Sequence, residues 1–224
     1  MRTQLAEALG LNTEHLVACG SQSMHRETLK PWLALQAAAR DAGFNLQLAS
    51  AHRDFARQNL IWQAKFQGKR PVYDLAGNMV DIEPLNVLDK VQAIMLYSAL
   101  PGFSRHHFGT DFDVYDPNLL RENEQLQLTP WEYLEGPMKP LNDWLNTHLS
   151  QFGFYRPYDC YRGGVAQEPW HISHSRVAAE YGGLLTPAIV ADLALEQQIA
   201  GAEAIAANAT LLFERFISNV ASPT

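Results

Sequence analysis

Apolar residues recur along this chain with two spacings, and the switches between them outline its elements. From Thr28 to Ala42, Leu29, Trp32, Leu33, Leu35, Gln36 and Ala39 fall at near-helical spacing, and Gly43 stands where such a helix would stop. Phe44 to Ser50 then alternates Phe44, Leu46 and Leu48 with Asn45 and Gln47, which predicts a half-buried strand. A second helix is predicted from about Asp54, as its cap, to Gln67. Gly68 to Asn86 carries a Gly77-Asn78 turn signal between two short β-prone runs and reads as a hairpin or an ordered loop. Helical spacing returns through Val91, Ile94, Met95 and Ser98 in Val87 to Leu100, and Pro101-Gly102 ends it.

From Thr110 the period is that of a strand, with Phe112 and Val114 on one face and Asp111, Asp113 and Tyr115 on the other. Pro140 to Phe152 reads as a helix burying Leu141, Trp144, Leu145, His148 and Leu149. Phe154 to Asp159 and Gln167 to Ser173 read as the last two strands. Strict alternation in the second would put Glu168 and His171 on opposite faces, so Glu168 is expected where the strand starts or bends, at Pro169. From Thr186-Pro187, a cap and a first-turn proline, an alanine- and leucine-rich seam runs through Ile189, Leu193, Ile199, Ala202, Ile205, Leu212, Phe213 and Phe216. It reads either as a helix pair folded back at Asn208 or as one long helix whose seam supports a homodimer. The fold class expected is α+β: a small central antiparallel sheet flanked by helices, with a long C-terminal helix or helix pair. Residues 1–185 form the main domain and 186–224 a helical extension.

A length of 224 residues with 47% hydrophobic content suits one globular domain. The formal charge of −7, without a run of lysine or arginine, argues against nucleic acid or an anionic membrane as partner. Cys19 and Cys160 lie far apart outside any Cys/His cluster, so neither a disulfide framework nor a thiolate metal site is implied. The amino terminus lacks a signal-like apolar core and no stretch has transmembrane length, from which a cytoplasmic location is expected.

The chemistry concentrates in SRHHFGTDFD, Ser104 to Asp113, and EPWH, Glu168 to His171. His106 and Asp113, seven residues apart across Gly109, read as metal ligands, and His171 supplies a third. Two imidazoles and one carboxylate leave a position of tetrahedral zinc open, as in catalytic rather than structural sites. Glu168, three residues before His171, is free to act as base. His107, His148 and His174 read as surface or supporting imidazoles, and Asp111 and Asp116 as solvated carboxylates or partners of ligands.

The pattern S-x-H-x-x-G-x-x-x-D followed by E-x-W-H resembles the zinc D-Ala-D-Ala metallopeptidases, carboxypeptidases and dipeptidases of peptidoglycan peptides to which the hedgehog signalling domain is distantly related. Ser50 to Gln58, SAHRDFARQ, is similar to that family's S-x-Y-R-S-x-x-x-Q segment, with Arg53 and Gln58 at matching spacing. His52 stands where the family has an aromatic, and Asp111 where it has a small residue. The resemblance implies bound Zn2+ and a peptide substrate ending in D-alanine or a related D-amino acid. It also implies an oxyanion- or carbonyl-binding role for Arg53 and contacts from Gln58 and Ser104 to the terminal carboxylate. A dipeptidase, an L,D-carboxypeptidase and a phage-type endopeptidase stay open, as do a non-haem iron oxygenase and a zinc-binding module without turnover.

Overall fold

The computed structural model describes residues 3–223. Helix α1 (Thr3–Ala8) precedes a hairpin of β1 (Leu16–Cys19) and β2 (Gln22–His25), and α2 (Leu29–Asp41) follows. Strand β3 (Gln47–Ser50) leads to α3 (Phe55–Phe66), capped as expected by Asp54, whose Oδ1 accepts from the Arg57 amide at 2.7 Å. Residues 68–86 form an ordered loop whose only bridge joins Tyr73 to Met79, turned by the Asp74 carboxylate accepting from the amides of Ala76 and Asn78. Next come α4 (Val87–Met95), β4 (Asp111–Tyr115), α5 (Pro130–Leu134) and α6 (Lys139–His148). Short strands β5 (Phe154–Tyr155) and β6 (His171–His174) follow, and then α7 (Ser175–Gly182). The chain ends in α8 (Pro187–Glu196), α9 (Ala202–Ala207), α10 (Ala209–Leu212) and a π-helical turn, Phe213–Ile217.

The central sheet is antiparallel throughout, in the order β3-β4-β6-β5. Its back face buries Leu46, Phe112, Val114 and Ile172 against Trp32 and Leu35 of α2 and Leu141 and Leu145 of α6. Its front face carries Asp111, Asp113, His171 and Ser173, which lie on adjacent rungs because side chains alternate along each strand. The final strand is shorter than its sequence pattern predicts. It begins at His171, so Glu168 lies in the turn before it, and the opposed-face problem does not arise.

A second core joins α3, α4 and α7 to the C-terminal helices through Trp62, Val91, Ile94, Tyr181, Leu193, Ile205, Leu212 and Phe216. The expected long helix is interrupted: Gln198 and Gly201 take positive φ values of 49° and 88°, and the chain turns between α8 and α9. Trp62 Nε1 donates to Ala200 O at 2.9 Å and fastens that turn to α3. The seam offered for a homodimer is therefore covered by its own chain, with Leu193 and Ile205 at 2% and 0% exposure. The composition change at 186 marks no separate core.

Beneath β2 lies a group of imidazoles. His15 packs against His25, His52 and Tyr181 at ring separations of 5.5, 6.1 and 5.7 Å, and Tyr181 donates to Glu7 at 2.8 Å. Burial, aided by the neighbouring His15, holds His25 and His52 down to about 4 from an ordinary 6.5. Three outcomes follow from the second core and the imidazole group. Ile205→Ala should cost about 2–5 kcal/mol in chemical denaturation, the range for an emptied core site, and Leu193→Glu should cost more without altering oligomeric state. On acidification the unfolded chain protonates His25 and His52 first, so their contribution is full above pH 6.5 and is lost as pH falls through about 4. His52→Phe should flatten that decline in thermal melts; an unchanged pH profile would contradict it.

Candidate active site and metal centre

His106 sits in a 3-10 turn, Arg105–Phe108, that ends at Gly109 with φ 69°. A Cβ on Gly109 would lie 2.8 Å from the His25 amide and 2.7 Å from Leu16 Cδ2, so only glycine lets the turn press onto the β1–β2 hairpin. The following strand projects Asp113 from the sheet's front face, directly opposite His171. His106 Nε2 lies 3.3 Å from Asp113 Oδ2, and His171 Nδ1 lies 3.3 Å from Asp113 Oδ1. Glu168 Oε2 is 3.5 Å from His171 Nδ1, brought there by a turn in which the His171 amide donates to Glu168 O.

The structure thus brings His106, Asp113, His171 and Glu168 together. Arg53 and Ser104 join them on the wall of a cleft of about 810 Å³. Arg53 is fixed by hydrogen bonds to Gln58 Oε1 at 2.8 Å and Ser50 Oγ at 3.3 Å. Gln58 itself is fully buried; its amide nitrogen donates to Ala99 O at 2.6 Å, so both ends of the amide face protein and the residue acts on the cleft through Arg53. His107 is locked between loops, with Nδ1 on Arg53 O at 2.5 Å and Nε2 accepting from the Gly102 amide at 3.0 Å. His148 stacks on Trp144 at 4.4 Å, far from this chemistry. Sequence reading did not single out Lys65, Arg70, Tyr73, Trp131 and Tyr158, which also line the cleft, or Arg105 beneath it. Arg70, Tyr73 and Tyr158 lie in loops that no local pattern announces, whereas Lys65 sits on α3 and Trp131 on α5.

The electrostatics are those of a site built for a cation. Burial raises the Glu168 carboxyl to about 7, with Asp113 adding to the rise against the opposing pull of His171 and Arg53. Burial alone would lower His171, but its hydrogen bond to Asp111 and the neighbouring Asp113 carboxylate lift it to about 9. Asp113 is held well below the usual carboxylate range, because the two imidazoles outweigh its burial. Asp113 Oδ1 and His171 Nδ1 are both buried and without a hydrogen-bond partner, a costly state for polar atoms. Donor atoms of His106, Asp113 and His171 all lie within 4.8 Å of one another. Two imidazoles and a carboxylate around unpartnered atoms fit a divalent ion of borderline softness, zinc foremost.

A sheet face that presents this donor set beside a buried carboxylate on the wall of a cleft is compatible with metal-assisted hydrolysis. Residues 21–177 match the family model VanY, D-alanyl-D-alanine carboxypeptidase, and the chain belongs to that family. Two proteins of Haemophilus influenzae (strain ATCC 51907 / DSM 11121 / KW20 / Rd), both described as uncharacterized, are related to it. One is 43% identical over 96 residues, which span 41% of this chain and 66% of that protein. The other is 34% identical over 117 residues, spanning 51% of this chain and 89% of that protein. The fold is similar to that of a vancomycin resistance D,D-pentapeptidase VanY in complex with Zn(II), with a TM-score of 0.54 and 20% identity over 76% of this chain and 86% of the other. It is also similar to the LdcB LD-carboxypeptidase, with a TM-score of 0.53 and 16% identity over 90% and 78%.

Purified protein should carry about one zinc per chain by elemental analysis, as three ligands at an open site imply. His106→Ala and His171→Ala should each lose it. Full zinc retention by either variant would remove that residue from the ligand set.

Proposed function

We propose that this protein is a zinc-dependent carboxypeptidase that removes the terminal residue from peptidoglycan-type peptides ending in D-alanine or a related D-amino acid. The observation that carries the reading is the convergence of His106, Asp113 and His171 within 4.8 Å, with Glu168 3.5 Å from His171, in a cleft also lined by Arg53. Support for the substrate comes from the family and from the similar fold of VanYB in complex with D-Alanine-D-Alanine, with a TM-score of 0.52 and 19% identity over 85% of this chain and 87% of that one.

His106 through Nε2, His171 through Nδ1 and the Asp113 carboxylate are the residues that would hold the ion. When bound, zinc supplies Lewis-acid polarisation of the scissile carbonyl and makes water more acidic. Glu168 takes the proton of the attacking water and delivers it to the leaving amine. Arg53, preset by Gln58 and Ser50, donates to the carbonyl oxygen as negative charge develops there. Lys65 and Arg70 add positive charge to the same wall and favour an acidic peptide. Ser104, on the loop before His106 and among the cleft-lining residues, would contact the substrate's terminal carboxylate.

Incubation with defined muropeptides followed by mass spectrometry tests the reading, with loss of a terminal D-alanine as the expected product. Glu168→Ala should keep its zinc and fold while hydrolysis falls by roughly 10²–10⁴-fold, the usual contribution of a positioned proton acceptor. Near wild-type turnover by that variant would place the base elsewhere. Stoichiometric iron in place of zinc, with no peptide cleaved, would replace hydrolysis by the oxygenase alternative.

A further inference from the structure

Each imidazole of the metal centre has one nitrogen facing Asp113 and another facing away, and the two use opposite ones. A neutral imidazole carries a single N–H, so whichever nitrogen finds an acceptor leaves its lone pair on the other. For His106 the acceptor is a backbone carbonyl: Nδ1 meets Ala51 O at 2.8 Å, which leaves Nε2 toward Asp113. For His171 the acceptor is a side chain: Nε2 meets Asp111 Oδ1 at 2.9 Å, which leaves Nδ1 toward Asp113 and Glu168.

Asp111 is fully buried and every part of its carboxylate is engaged. Oδ1 also accepts from Arg105 Nε at 2.7 Å, and Oδ2 accepts from Thr110 Oγ1 at 2.6 Å. Arg105, itself buried, reaches on to Ser173 Oγ at 2.7 Å and Tyr155 Oη at 3.1 Å. Asp111 pairs with Ser173 on the rung beside the Asp113–His171 pair, and the four residues share one sheet face. Arg105 directly precedes His106. A second polar layer thus lies alongside the ligands, one or two residues from each of them. The Arg105 guanidinium compensates the charge of the buried Asp111 carboxylate. It also anchors the carboxylate away from the ligand atoms.

We propose that Asp111, anchored by Arg105, is a positioning residue that holds the proton of His171 on Nε2 and thereby makes Nδ1 the metal-binding atom. A hydrogen-bonded carboxylate behind a ligating histidine fixes its ring and strengthens it as a donor. The inference rests on the reading of His106, Asp113 and His171 as zinc ligands.

Removing Asp111 alone would strand the buried Arg105 charge, so the informative variant is Asp111→Ala combined with Arg105→Met, which removes both charges together. Its zinc affinity, measured by chelator competition, should fall by roughly 10–100-fold. Asp111→Asn in place of Asp111→Ala, in the same Arg105→Met background, retains an acceptor oxygen without a stranded charge and should restore most of that loss. Asp116→Asn changes a buried carboxylate at the other end of the same strand, bonded to the amides of Asn45 and Asn118, and should leave affinity unchanged. Nitrogen-15 NMR of the zinc-loaded wild type should find the His171 proton on Nε2, and the double variant should lose that single tautomer. Wild-type affinity in the double variant, an equal loss in Asp116→Asn, or a His171 proton on Nδ1 would each overturn the proposal. The wild-type NMR result decides even if the double variant does not fold. A wild type that takes up no zinc would instead overturn the ligand assignment itself, a result distinguishable from a zinc-binding wild type with indifferent variants.

Discussion

The pairing of β4 with β6 is the constraint on which the rest of the molecule depends. It places Asp113 opposite His171 and Asp111 opposite Ser173 on one face, and Phe112 opposite Ile172 on the other. Because strand side chains alternate, a slip of one residue would send the carboxylates into the apolar core and Phe112 into the cleft. Phe112 and Ile172 are both completely buried behind the sheet, so the hydrophobic face locks the register that the chemistry in front requires. The site is held in place by burial on the side where no chemistry occurs.

The front face, by contrast, needs help from distant chain. Its cleft is closed on one side by α3 and the loops around Tyr73 and Tyr97, and on another by Phe216 and Ile217 from the last turn of the chain. Phe216 belongs at once to the second core and to the cleft wall. The C-terminal segment therefore forms part of the cleft wall, and the chain turns back toward it at Gln198 to Gly201.

What was legible in the sequence was whatever depends on local periodicity or on spacing within one segment. The alternation in Asp111 to Tyr115, the cap at Asp54 and the back-face residues of α2 and α6 follow from period and position alone. The β1–β2 hairpin escaped because its strands are four residues each, mixed in polarity, and stabilised by contact with the loop at Gly109. The broken seam escaped because Ile199 and Ile205 remain apolar across the turn, so the pattern of burial continues where the helix does not. Gln58 was placed by its spacing near Arg53, but which way its amide points was decided by Ala99, a residue from another loop. Asp111 shows the same limit: its strand face was readable, whereas its partners Arg105 and His171 come together only through tertiary pairing.

The segment Ala51 to Arg53 joins the His106–His107 turn through backbone as well as side chain. Ala51 O holds His106, Arg53 O holds His107, and the Arg53 amide donates to His106 O at 3.2 Å. On the Ala51 to Arg53 side, every one of these contacts uses a main-chain atom. The side chains at positions 52 and 53 are thus freed from the task of holding the ligand loop, although they lie in the same short segment. Replacement of His52 alters the packing around the loop without loosening its hold. The packing around the loop and the ligand geometry can thus vary separately, because they depend on different atoms of the same residues.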